Sequence, residues 1–251
     1  MALGLGAGLG KGGIVGSIPG VVTDNLVMKH MYPAGAVQPL SDGAAFFNSG
    51  NNDRVEITDS ADLSPSSITA SAWVHHGGSA PGDGYPRIIA NDADSDLGWH
   101  LRYSRDVARF HMRVSSNGSN QELGATDNTY SDLNKWYHVA ATYDSSTGTI
   151  KMYVDGVHDG TDTGEITGAT NNPSGPIYIG RQGEETGQDW DGYICNVGVW
   201  GRVLTQEEIK SIMWKQYADL STTEKTNLVS WWNLDTNAND SHGSNNGTLG
   251  P

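Results

Sequence analysis

Carboxylates, carboxamides and aromatic rings are the groups of this chain that could do chemistry, and their spacing narrows what each can do. Hydrolysis of a glycosidic bond needs two carboxyl groups facing one groove. Glu184 and Glu185 are neighbours in a glycine-bounded loop and diverge when extended. Asp189 and Asp191 are two apart and can share a face, but they precede a strand, beside Gly192. Neither pair has the placement of a catalytic pair, so the chain reads as non-enzymatic. No G-x-S-x-G elbow presents a serine nucleophile. The single cysteine, Cys195, lies in an apolar stretch, the setting of an inert buried thiol. His75 and His76 are adjacent, so an extended backbone sends their rings to opposite faces.

Two binding chemistries remain. A hard cation such as Ca2+ takes oxygen ligands on a bent loop. The stretch from Asp240 to Gly247 supplies them from Asp240, Asn245 and Asn246, with glycines for the turns. A rival cluster, Asn91 to Asp96, imitates the start of an EF-hand loop, but Asp96 stands where glycine is required. Sugar binding uses aromatic rings that stack on pyranose faces. Tyr85, Trp99, Tyr103 and Tyr130 lie in or beside predicted loops and are the candidates, against the ordinary role of such rings as sandwich core.

Composition bounds the partners. The 251 residues carry 15 basic and 29 acidic side chains, a net charge of −14, which argues against nucleic acid and anionic membrane surfaces. No apolar run approaches the roughly 20 residues of a membrane span. The first 20 residues are apolar and contain eight glycines, without the basic start of a signal peptide. Residues 1–22 read as an extended arm. Its Leu3, Leu5, Leu9, Ile14 and Val15 are the side chains expected to anchor it to neighbouring subunits.

Short apolar stretches separated by turn clusters predict an all-β fold of two packed antiparallel sheets. The predicted strands are 43–47, 54–57, 68–75, 87–90, 99–103, 109–115, 136–143, 149–154, 177–180, 193–200 and 228–234. Ile150, Met152 and Val154 alternate with Lys151 and Tyr153, and Asp155-Gly156 predicts a type I′ hairpin turn. One helix is predicted over 206–217. Thr205 and Glu208 form its capping box, and Ile209, Ile212 and Met213 form its apolar stripe. Asn25-Leu26-Val27 echoes Asn227-Leu228-Val229, which suggests two edge strands.

The blocks GAAFFNSGNNDRVEITDSADL from Gly43, ITASAWVH from Ile68, WYHVAATYDSSTGTIKMYVDG from Trp136, IYIGR from Ile177 and WDGYICNVGVWGRVLTQEEI from Trp190 occur in one order. In that order they resemble the laminin-G-like, concanavalin A-like jelly-roll domains. The resemblance covers roughly residues 41–217 and implies a two-sheet antiparallel jelly-roll sandwich with one short helix on its C-terminal side. It divides the chain into the arm 1–22, a jelly roll 23–217, and a segment 218–251 that completes the sandwich or pairs with a neighbouring copy. It also implies a calcium loop near an aspartate preceding the last strand, here Asp191. Two departures stand out. Cys195-Asn196 occupies the place of an acidic pair, and the aromatic strand and Asp/Asn/Gly loop that normally open the domain appear at 228–249. The arm joined to a jelly roll is similar to structural proteins of marine bacteriophages. That implies a virion protein, a capsid decoration or tail-associated subunit, with other virion proteins and copies of itself as partners and host glycans as further contacts. A free lectin module assisted by calcium is the other expectation.

Overall fold

The computed structural model describes residues 43–77, 84–91, 98–116, 118, 121–132, 135–164, 166–183 and 188–250. The arm residues Leu3, Leu5, Leu9, Ile14 and Val15, the echo at Asn25, most of the Asn91 to Asp96 cluster, and Glu184 and Glu185 lie outside the described residues.

Among the described residues fourteen strands follow in chain order: β1 (Ala45–Phe47), β2 (Arg54–Ile57), β3 (Ile68–His76), β4 (Arg87–Asn91), β5 (Trp99–Ser104), β6 (Arg109–Ser115), β7 (Gln121–Ala125), β8 (Trp136–Asp144), β9 (Thr149–Val154), β10 (Val157–Thr163), β11 (Ile177–Ile179), β12 (Gly192–Trp200), β13 (Leu228–Trp232) and β14 (Gly247–Gly250). They form two antiparallel sheets. The first runs β1-β12-β3-β8-β9-β10, with β13 also on β12; the second runs β14-β2-β11-β4-β5-β6-β7. The protein is therefore an all-β jelly-roll sandwich.

Alternation explains the core. Ile150, Met152 and Val154 point between the sheets, where they meet Ile68, Trp99, Met112, Ile177 and Trp232 among others. Tyr153, on the opposite face of β9, is buried as well, because it packs with Trp200, Leu204, Ile209 and Ile212 under the helix. On β12 the alternation slips by one. Ile194 and Val197 both face the core, and between them Asn196 takes φ 49° while the pairing with β3 shifts register. This bulge lets β1 pair with the first half of β12 and β13 with the second, along the same edge. The 218–251 segment thus contributes one strand to each sheet of its own chain, β13 to β12 and β14 to β2.

The Asp155-Gly156 turn has φ of 51° and 73°, the positive pair a type I′ turn requires. The helix α1 (Gln206–Ile212) starts at the predicted capping box. Thr205 Oγ1 accepts the Glu208 amide at 3.2 Å, and Glu208 accepts the Thr205 amide at 2.8 Å. It ends five residues before the predicted 217. Trp73 Nε1 donates to the Met213 carbonyl at 2.8 Å, and the chain then turns through a short 3-10 segment, Tyr217–Asp219. A tertiary donor thus satisfies the last turn.

Candidate functional site on the outer face of the first sheet

Among the described residues four aromatic doublets enter the first sheet: Trp231-Trp232 on β13 and, at the other end of β12, Phe46-Phe47, His75-His76 and Trp136-Tyr137. The last three build one row. Strand alternation sends one ring of each doublet inward and the other outward. Phe47 and Tyr137 join the core, and His76 packs edge-on against Trp190 with ring centroids 5.1 Å apart. The outward partners are brought together by register. Phe46 lies opposite Tyr193, Tyr193 opposite His75, and His75 opposite Trp136. Ring centroids along this row are 4.9, 5.9 and 5.5 Å apart. The row crosses four adjacent strands, so with sheet spacing of about 4.8 Å it extends roughly 14 Å. Phe46 is 54% exposed and Tyr193 41%.

The next row inward is roofed. Cys195, Trp73 and His138 sit side by side there, and Met213 packs on Trp73 and Cys195. Trp214, itself largely exposed, lies 5.8 Å from the Trp73 ring. The end of α1 therefore covers one row and leaves the other open, with Trp214 as a fifth ring at its side. His138, fully buried beneath this roof, is held neutral by its burial, with its pKa lowered to about 3. Lys135, which precedes Trp136, has its ammonium 3.6 Å from Asp155 and 4.7 Å from the Tyr137 ring centroid.

The rings singled out in the sequence lie elsewhere. Trp99 and Tyr103 occupy the inward positions of β5 with Leu101, so they pack core rather than face a ligand. Trp99 Nε1 donates to the Leu63 carbonyl at 2.7 Å, and the Tyr103 hydroxyl donates to the Tyr130 carbonyl at 2.9 Å. Tyr130 is half-buried against the same core, and its hydroxyl donates to Asp159. Tyr85 is the surface ring of the four, with the Arg102 guanidinium 4.1 Å from its centroid. These four do not form one surface. The outward row was hidden because nothing in the order of residues 46, 75, 136 and 193 reveals that they become neighbours. The doublets were the available signal.

The predicted cation loop is organised by its own backbone. Asp240 Oδ1 accepts the amides of Trp231 and His242 at 3.0 and 2.9 Å, and Oδ2 accepts that of Asn245 at 3.1 Å. Asn246 Oδ1 accepts the Asp240 amide at 3.0 Å, and Asn245 Nδ2 donates to Ser230. Asp240 pairs with Trp232, which lies opposite Val197, whereas Asp191 precedes the far end of β12. That separation is about 20 Å along the strand, so Asp191 does not join the loop. Among the described residues no three His, Cys, Asp or Glu side chains converge on one point. As folded, the loop commits its one carboxylate to three backbone amides, so a cation there would compete with those donors rather than fill a ready-made cage. Asp240→Ala is accordingly expected to lower stability by about 2–3 kcal/mol, read as the same drop in melting temperature with millimolar calcium or with a chelator. Asp189, the other candidate carboxylate, forms a buried ion pair with Arg181 at 3.2 Å.

Residues 49–210, nearly two thirds of the chain, match the family model described as the concanavalin A-like lectin/glucanases superfamily. Over 110 residues the chain is 31% identical to C-reactive protein 1.4 of Limulus polyphemus, covering 41% of this chain and 44% of that protein. It thus spans less than half the length of that relative. Among solved structures, a Bacteroides ovatus protein described as carbohydrate binding superposes with a TM-score of 0.64 at 22% identity, over 85% of this chain and 60% of that one. The CBM40 of the Ruminococcus gnavus IT-sialidase, bound to alpha2,3 sialyllactose, gives a TM-score of 0.50 at 13% identity, over 69% of this chain and 98% of that one. At these identities the likeness is one of fold.

Proposed function

This chain belongs to the concanavalin A-like lectin/glucanases superfamily, and from that premise we propose that it is a non-enzymatic carbohydrate-binding module whose glycan lies along the outer row Phe46, Tyr193, His75 and Trp136. The single observation that supports the reading is the in-register alignment of four rings on four adjacent strands, two of them largely exposed. A pyranose presents a face of C–H groups that packs on an aromatic face, and its hydroxyls point sideways to water and polar neighbours. Strand spacing of about 4.8 Å is comparable to the width of one sugar ring, so the row suits several consecutive units of an uncharged chain. Rigid strands hold the rings before the ligand arrives, which limits the ordering entropy of binding. The reading routes no step through calcium.

Affinity electrophoresis in neutral polysaccharides (cellulose derivatives, xylan, mannan, soluble chitin) tests it. One of these is expected to retard the protein. Tyr193→Ala and Trp136→Ala are each expected to weaken that binding about tenfold, or about 1.4 kcal/mol, while Tyr85→Ala leaves it unchanged. Absence of retardation in every neutral polymer, or equal retardation of all variants, overturns it. Release of reducing sugar would overturn the non-enzymatic part.

A second reading places the module on a virus particle, as a decoration or tail-associated subunit held by other virion proteins and by copies of itself. Its support is the apolar, glycine-rich sequence of residues 1–22, with Leu3, Leu5, Leu9, Ile14 and Val15 as the anchoring contacts. Deleting residues 2–20 would abolish incorporation into particles under this reading and leave glycan retardation intact.

A further inference from the structure

The outer face of the second sheet has the opposite character to the rest of the molecule. On β6, Phe110, Met112 and Val114 point into the core, so Arg109, His111 and Arg113 point outward. Across β5, Ser104 lies opposite Arg109, Arg102 opposite His111, and His100 opposite Arg113. Arg87 lies opposite Arg102 on β4, and Arg54 occupies an outward position of β2. Five of the eight arginines of a chain with net charge −14 thus share one face. The acidic side chain on that face, among the described residues, is Glu56, paired with Arg54 at 3.6 Å.

Toward the β7 side of this face, on the sixth of its seven strands, stands an imidazole with no hydrogen-bond partner among the described residues. His111 is 7% exposed, and neither Nδ1 nor Nε2 has a hydrogen-bond partner among the described residues. A buried imidazole with both nitrogens unsatisfied is costly, because each loses its water without gaining a partner. Burial, with Arg102 and Arg109 beside it, lowers its pKa to about 4, so at neutral pH one nitrogen donates and the other accepts. Arg109 and Arg113, half-buried at either side of it, open the face toward β7, where Leu123 is exposed. Guanidinium groups match the paired oxygens of a carboxylate or sulfate.

We propose that Arg109, His111 and Arg113, with Arg102 behind them, form a second binding site that takes the carboxylate or sulfate of an acidic glycan. An oxygen anion lying between the two flanking arginines accepts from both and from the His111 N–H. A glycan is favoured over nucleic acid because the overall charge repels a long, uniform phosphate backbone, whereas a short acidic substituent feels mainly the local face. The site shares with the proposal above only the premise that the module meets glycans. It uses a different sheet and a different ligand class.

The test uses the full chain and two polymer pairs: dextran sulfate against dextran, and polygalacturonate against its methyl ester. At least one charged member is expected to bind ten times more tightly than its neutral counterpart, and the difference should shrink with added salt. The charged polymer that binds identifies the anion. His111→Gln and Arg113→Gln should each remove most of that difference, and Lys151→Gln, which removes an exposed cation from β9 of the first sheet, should leave it intact. Where His111→Gln does not fold, Arg109→Gln, at a half-buried position, reads the same site. Equal binding of charged and neutral polymers, variants that bind like the parent, or equal retardation by duplex DNA would overturn the assignment. None of these outcomes bears on neutral-glycan binding by the aromatic row.

Discussion

Acidification from pH 7 toward pH 4 is expected to unfold the sandwich, with a midpoint between about pH 4 and 5. The cause is a set of histidines that the fold keeps uncharged. Burial lowers His138 to about 3. Burial, followed by Arg105, lowers His76 to about 4, and burial, followed by Arg102 and Arg109, does the same for His111. Burial, then Arg87, Arg102 and other cations, places His100 well below its usual value. In the unfolded chain each titrates near 6.5, so between 6.5 and the folded value the unfolded state binds the extra proton. Stability therefore falls as pH drops through this window and is recovered above it. Each group contributes about 1.4 kcal/mol per pH unit. At about pH 4.5 His138, His76 and His111 sum to roughly 8 kcal/mol, comparable to the whole stability of a domain, and His100 acts in the same direction. Far-ultraviolet circular dichroism against pH measures it. A chain still folded at pH 4, with the same melting temperature as at pH 7, contradicts the account. His138→Gln should shift the midpoint acidward if the variant retains its packing at neutral pH.

Gly192→Ala is expected to be the most damaging conservative change near the aromatic row. Gly192 begins β12 and lies opposite both Phe47 and His76, where β1, β12 and β3 meet. Its φ is +133°, a region closed to residues with a Cβ, and a Cβ there would lie 2.1 Å from the His75 carbonyl oxygen and 2.8 Å from the Gly77 amide. Both contacts are backbone, so no side-chain rotation relieves them. A loss of about 3–5 kcal/mol follows, a fall in melting temperature of about 10 °C or more, along with displacement of Tyr193 from His75. Gly201→Ala is the control. Its nearest contact would be Pro65 at 3.4 Å, an ordinary van der Waals approach. Equal melting temperatures for the two variants would refute the prediction.

The elements legible in the sequence were those whose signal is local. The capping box at Thr205 and the Asp155-Gly156 turn appear as read, because each is fixed by residues within three positions of one another. The helix end was not, since it depends on an indole from β3 reaching the Met213 carbonyl. Strands β7, β10 and β14 were missed. Gln121–Ala125 holds glutamate, glycine and alanine, all weak strand formers, Val157–Thr163 is largely polar, and Gly247–Gly250 is half glycine, so tertiary pairing rather than propensity makes them extended. The outward rings were invisible for a related reason. Tyr193 meets Phe46 and His75 only through β12 pairing, across more than a hundred residues. Trp99 and Tyr103 misled because they stand at the two ends of the predicted strand 99–103 and so read as loop-side rings, whereas alternation along β5 places both, with Leu101, on its inward face.

The bulge at Asn196 has a consequence for how the molecule is made. One margin of β12 is closed by β1 at its start and by β13 at its end, and on the other sheet β2 waits for β14. A ribosome emitting this polypeptide releases residues 43–200 long before 228–250. For that interval the nascent sandwich exposes two unsatisfied ladders, each a template for a stray strand. Completion then arrives from the carboxyl end, in two placements joined by the Asp240 loop. In the folded chain that loop's carboxylate holds the amides of Trp231, His242 and Asn245, and so ties the end of β13 in one layer to the approach of β14 in the other.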